Sequence, residues 1–192
     1  VERVVALDSS EAMLAELRSA ADAAGITNIE TQQASWDEAE PGVFDVVLVA
    51  NVPGALDEPS RGIPLLERHA ERFVFLVLGT PKNADKFFFN ELWPMIFGVE
   101  LPAKRDYMHA YTALHEMGIY ANVAIADYSF DQPFGTLAEA VEFWKDHMRL
   151  TGGEHDAVLE EFLDGKLERE GDLLWARIPK QSAIIWWSPR KK

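Results

Sequence analysis

Three short, unbroken apolar runs limit what this chain can fold into more than any other feature. They are Val4-Val5-Ala6-Leu7, Val46-Val47-Leu48-Val49-Ala50 and Phe73-Val74-Phe75-Leu76-Val77-Leu78. A strand with one wet face alternates apolar and polar residues, whereas an unbroken run is buried on both faces. Segments of helical period stand between the runs. Met13, Leu14, Leu17, Ala20, Ala21 and Ala24 form one stripe, and Gly25 is placed to end that helix in a left-handed conformation. A further helix is expected over 63–72. Strand alternating with helix predicts an α/β domain with a mostly parallel sheet and helices on both faces.

The weaker elements follow from the same rules. Asn28–Gln33 is a second strand, and Pro53-Gly54 breaks the chain after Ala50. Residues 83–102 crowd Phe87, Phe88, Phe89, Leu92, Trp93, Met95, Ile96 and Phe97 together. Asp106–Met117 is expected to be helical and Ile119–Tyr128 extended. Leu137, Val141, Trp144 and Met148 stand at helical spacing, and Gly152-Gly153 joins that helix to a short one near 158–163. Two strands, 172–178 and 183–187, close the chain, with Pro179-Lys180-Gln181-Ser182 as their turn.

Composition removes several function classes. With 48% hydrophobic residues in 192, one core is affordable and general disorder is excluded. The net charge of −14 repels a polyanion, so a nucleic-acid partner is disfavoured, although Arg190, Lys191 and Lys192 make a short basic tail. The absence of cysteine removes disulfides, thiolate metal sites and cysteine nucleophiles, and fits a cytoplasmic setting. His69, His109, His115, His147 and His155 show no metal-ligand spacing, so no metal is expected. No apolar run is long enough for a membrane helix, and there is neither a Gly-x-Ser-x-Gly elbow nor a Lys-Ser/Thr phosphate loop.

A few residues could carry chemistry. Asp8 ends the first strand, where an acid can accept both hydroxyls of a ribose. Capping the next helix explains it about as well, with Glu11 three residues on. Ser35-Trp36-Asp37 follows the second strand, and Trp36 suits either an adenine face or a lid over the sheet edge. Asn51 follows the third, where open α/β sheets bind ligands, or is a turn residue. The aromatic cluster from Phe87 to Phe97 is core by default and a substrate lid otherwise.

Taken together, Val4–Leu14, Ala34-Ser35-Trp36-Asp37 and Phe44–Val52 resemble, in order and spacing, class I S-adenosylmethionine-dependent methyltransferases of the Rossmann-like, small-molecule type. The likeness is good to about Leu78 and looser beyond. It implies a mostly parallel sheet with an antiparallel C-terminal end, helices on both faces, and helical insertions near 83–117 and 135–168 forming a lid on a single domain, 1–192. It implies S-adenosylmethionine as cofactor, with Asp8 and Ser9 at the ribose, Met13 and Trp36 about the adenine beside Ser35, and Asn51 on the donor side. Trp93, Phe97, Tyr107 and Trp144 would line an acceptor pocket for an apolar or aromatic small molecule. His115, Tyr107 and Asp106 are candidate bases. A homo-oligomer is compatible with all of this.

Two departures stand out. Ser35 occupies the position where many members carry an acid facing the adenine amine. The family's first strand and its Gly-x-Gly-x-Gly loop would precede Val1, so the chain is expected to be an N-terminally truncated piece. The alternatives are a nicotinamide-dinucleotide enzyme, which shares the acid after its second strand, and a non-catalytic scaffold with the same fold.

Overall fold

A computed structural model describes residues 1–52, 56–81, 85, 87–102 and 106–190. The expected break at Pro53-Gly54 lies outside the described residues. The chain divides into two compact units. The first holds Val1–Val77, His109–Val123 and Ile185–Lys192, and the second holds Leu78–Met108 and Ala124–Ile184.

In the first unit, β1 (Val4–Asp8) pairs in parallel with β2 (Ile29–Gln33), from Val4 opposite Ile29 to Asp8 opposite Gln33. The crossover is α1 (Glu11–Ala23), capped by the Ser10 hydroxyl, which accepts the Met13 N–H. Gly25 takes a φ of 66° and lets the Ile26 N–H reach the Ala21 carbonyl, closing the helix as expected. Leu14 and Ala21 are the buried part of the apolar stripe, while Met13 is 60% exposed.

A second parallel pair joins β3 (Phe44–Ala50) to β4 (Ala70–Gly79) through α2 (Pro59–Arg68). The helix lies four residues earlier than its apolar pattern suggested. Pro59 sits in its first turn, where no N–H is needed, and Ala70-Glu71-Arg72 join the strand. Val74 and Leu76 of β4 are fully buried on one face, and Ile63 and Leu66 of α2 are buried as well. The other face is less covered. Val46 pairs with Phe73 and Leu48 with Phe75, and Val46 and Leu48 are 47% and 63% exposed. At β3, therefore, the expected cover on both faces is not met.

The larger sheet runs β3-β4-β9-β5, with β5 at Asn122–Ser129 and β9 at Pro179–Trp187. Between β4 and β5 come α3 (Phe89–Phe97) and α4 (Tyr107–Glu116). In the second unit β6 (Gln132–Phe134), β8 (Leu173–Ala176) and β7 (Glu168–Glu170) form an antiparallel sheet in the order β6-β8-β7.

That corrects the expected closing pair. β8 belongs to the small sheet, and 179–182 is the start of β9 rather than a turn. Pro179 costs nothing as the first residue of a strand. The polar Gln181 side chain is satisfied by the Thr80 hydroxyl at 3.0 Å and by Asp127, to which it donates at 2.8 Å.

The second unit's core is aromatic. α5 (Leu137–Met148), capped by Thr136, and α6 (Asp156–Lys166) enclose Trp144, Leu159 and Leu163 with Leu92 and Phe134. Among the described residues no helix is long and apolar enough to cross a membrane.

Candidate functional site

A parallel strand pair points all its C-terminal ends to one side, and open α/β sheets bind ligands there. β1 and β2 bring Asp8 and Gln33 level at that end. The Ala34 N–H then donates to the Asp8 carbonyl at 3.1 Å, so the turn after β2 begins beside Asp8. Gln33 reaches back to the Ser9 carbonyl at 3.3 Å. Asp8, Ser9, Met13, Ser35 and Trp36 thus stand on neighbouring strand ends and the first turn of α1, within one unit.

Asp8 is half-buried, and its Oδ1 accepts the Ser10 N–H at 2.8 Å. That bond orients the carboxylate and leaves Oδ2 without a hydrogen-bond donor among the described residues. The helix cap itself is Ser10, so capping does not account for Asp8.

After β2 the chain turns sharply: the Ser35 carbonyl accepts the N–H groups of Glu38 and Ala39. The Ser35 hydroxyl donates to Asp37 Oδ1 at 2.5 Å, and Arg61 of α2 donates to Asp37 Oδ2 at 2.9 Å. These contacts, the Ser35 bond first and the Arg61 charge after it, hold the Asp37 carboxyl below the usual aspartate range. Trp36 is half-buried between them in sequence.

Asn51 follows β3 with a left-handed φ of 53°, and its N–H donates to the Val77 carbonyl at 3.0 Å. Asn is the non-glycine side chain that most readily takes this conformation, so the φ fits a turn residue as well as a ligand-facing one.

The remaining candidates scatter. Trp93 and Phe97 of α3 pack ring to ring, with centroids 4.4 Å apart, and Phe97 is 41% exposed. Trp144 is fully buried and its Nε1–H donates to the Phe87 carbonyl at 2.7 Å, so it is core and does not line an open pocket. Helical spacing alone does not separate those two roles. Asp106 Oδ1 accepts the Met108 N–H at 2.8 Å at the start of α4, beside half-buried Tyr107. His115 lies at the far end of α4, exposed, with its ring 5.3 Å from that of Tyr120. The three candidate bases form no cluster.

Two residues escaped the sequence reading. Gln33 and Arg61, with Asp37 of the Ser35-Trp36-Asp37 turn, tie that turn to its surroundings, and nothing in their spacing marked them. Phe87 and Phe88, both left-handed at φ 63° and 57°, open α3. Among the described residues no group of three or more His, Asp or Glu side chains is placed to hold a metal ion.

No family model matches the chain, and no curated protein matches it. Solved structures do share its fold. A candidate methyltransferase of Bacillus halodurans C-125 superposes over 100% of this chain and 84% of its own, at 17% identity and a TM-score of 0.54. The YcgJ protein of Bacillus subtilis covers 100% and 84% at 13% identity and a TM-score of 0.51. At such identities the likeness is one of fold, and the fold is the Rossmann-like one of class I methyltransferases, with a mostly parallel central sheet.

Proposed function

We propose that this chain uses its methyltransferase fold to transfer a methyl group from S-adenosylmethionine to a small-molecule acceptor. One observation carries the reading. Asp8, half-buried with one oxygen turned by Ser10, stands level with the turn that presents Ser35 and Trp36. An acid beside an aromatic turn at adjacent strand ends suits a nucleoside, ribose on the acid and base on the turn.

The residues fit such a donor. Asp8 is the acceptor for the ribose hydroxyls, with Ser9 beside it. Met13, exposed on the first turn of α1, and Trp36 offer apolar surface to the two faces of the base. Asn51, at the end of β3, presents a side-chain amide on the donor side. The sulfonium supplies an already activated methyl group, so the protein's task is alignment and exclusion of water.

For the acceptor, the ring pair of half-buried Trp93 and exposed Phe97 favours an apolar or aromatic molecule. An acceptor that loses a proton needs a base. Tyr107 is the better placed candidate, since Asp106 is already engaged by the Met108 N–H. The net charge of −14 favours a small molecule over a nucleic acid.

Calorimetric titration of S-adenosylmethionine, and of its demethylated product, into the full gene product tests the reading. Micromolar binding of both is expected. Binding of neither, by a folded protein, returns the fold to a scaffold role.

A further inference from the structure

We propose that Asp127, held in place by Gln181 and Thr80, binds a protonated amine on the acceptor, so that the molecule methylated is an apolar or aromatic amine. The inference deepens the methyl-transfer reading above and rests on it. Its premise is a line of three side chains, all within the second unit. Thr80 follows β4, at the C-terminal end where open α/β sheets bind ligands. It is buried, and it bonds β9 twice. Its N–H donates to the Gln181 carbonyl at 3.4 Å and its hydroxyl to Gln181 Oε1 at 3.0 Å. Gln181 Nε2 in turn donates to Oδ1 of Asp127, on β5, at 2.8 Å. The register agrees. The Phe130 N–H donates to the Ile178 carbonyl, three residues further along β5 and three residues back from Gln181. Asp127 therefore stands opposite Gln181, and Gln181 beside Thr80.

Each bond orients the next group. A carboxylate only accepts, so the Gln181 amide turns its nitrogen to Asp127 and its oxygen to Thr80. That oxygen needs a donor, and the threonine hydroxyl supplies it. A buried hydroxyl thus sets the direction of an exposed carboxylate. Asp127 Oδ2 has no donor among the described residues, and no cation there pairs with the carboxylate. Asp131, four residues on, is the contrast: Arg177 pairs with it at 3.0 Å. A neutral amide orients Asp127 without cancelling its charge, so that charge remains for a ligand.

Alternation along β5 puts Ile125, 48% exposed, on the same face as Asp127. An apolar body carrying a protonated amine matches both side chains. The net charge of −14 also raises the concentration of cations around the molecule. An ammonium nitrogen has no lone pair and cannot receive a methyl group. Asp127 therefore anchors the acceptor while another atom is methylated. Gln181 and Thr80 are positioning residues, acting through Asp127.

The experiment is an NMR titration of the full gene product at neutral pH with three probes of one shape: phenethylamine, which is protonated, phenethyl alcohol and phenylacetate. S-adenosylhomocysteine, titrated in parallel, reports the donor site separately. The wild type is expected to bind the amine about tenfold or more tighter than the alcohol, and phenylacetate weakest of the three. Asp127→Asn keeps the shape and removes the charge, and should bring amine and alcohol within about threefold of each other. Thr80→Val removes the hydroxyl that orients Gln181 and should lower the same preference, while Thr80→Ser should restore it. A cross-strand pair that only supports the sheet would leave the amine-to-alcohol ratio unchanged in every variant.

A wild type that does not bind the amine, or binds it no better than the alcohol, overturns the inference. So does an unchanged ratio in Asp127→Asn. Binding of S-adenosylhomocysteine in either case leaves the donor reading standing. A preference for the amine that is lost in Asp127→Asn, in a wild type that does not bind S-adenosylhomocysteine, keeps the cation site and overturns its place in methyl transfer.

Discussion

Asp8 carries one observed contact and one proposed role on separate oxygens. Oδ1 takes the Ser10 N–H at the entry to α1, and in the proposed reading Oδ2 takes a ribose hydroxyl. Replacement by alanine should therefore have two separable costs. Donor affinity should fall by about 2–4 kcal/mol, the loss of two charge-assisted bonds. Stability should fall by about 0.5–1.5 kcal/mol, one local hydrogen bond. Calorimetric titration reads the first and urea unfolding the second. Unchanged affinity with the stability cost intact would leave Asp8 a turn residue only. The sequence made both roles visible but could not choose, because an acid before a helix satisfies either pattern. Trp144 is the converse case. Its spacing with Leu137, Val141 and Met148 suited a pocket or a core, and only the Nε1–H bond to Phe87 and full burial decide for core.

Elements were legible where one local rule governed them. β3 runs over Phe44–Ala50, where its apolar run stands, and α5 begins after the Thr136 cap. Boundaries moved where two rules competed. At α2 the helix-starting Pro59 prevailed over the apolar pattern, and at β9 polar residues in a strand found partners in other elements. The short β6 and β7 carry no pattern of their own, since three residues cannot show a period. Thr136 accepts the Glu139 N–H at 3.1 Å, so Thr136→Ala should cost about 1 kcal/mol in urea unfolding. A pH-dependent contribution belongs to the turn between β5 and β6. The Ile178 N–H and the Arg177 guanidinium at 3.0 Å hold the Asp131 carboxyl below its ordinary range. A carboxyl depressed in the folded state stabilises it fully above the unfolded pKa, and that contribution is lost as pH falls through the folded value. Asp131→Asn should flatten the acid side of the stability profile. A profile with the same slope as the wild type would show that this contact does not contribute.

At the scale of the molecule, the two units differ in how completely they bury their apolar surface. The second closes on itself around Trp144, Leu159 and Leu163, each fully buried. Leu159→Ala should cost about 2–5 kcal/mol there, the loss of transfer energy plus a cavity. The first unit buries Val74 and Leu76 but leaves Val46 and Leu48, on the opposite face of its sheet, 47% and 63% exposed. Neighbouring Phe73 and Phe75 extend that apolar surface. An exposed strand surface of this kind favours self-association rather than fold stability. Leu48→Lys should therefore shift stability by no more than about 0.5 kcal/mol, because little contact is lost. It should at the same time lower the sedimentation coefficient at high protein concentration, where the wild type is expected to associate through this face. The pairing of outcomes matters. A stability loss comparable to that of Leu159→Ala would mean that Leu48 is covered in the folded protein. A wild type that sediments as a monomer at every concentration would mean that the open face is inert.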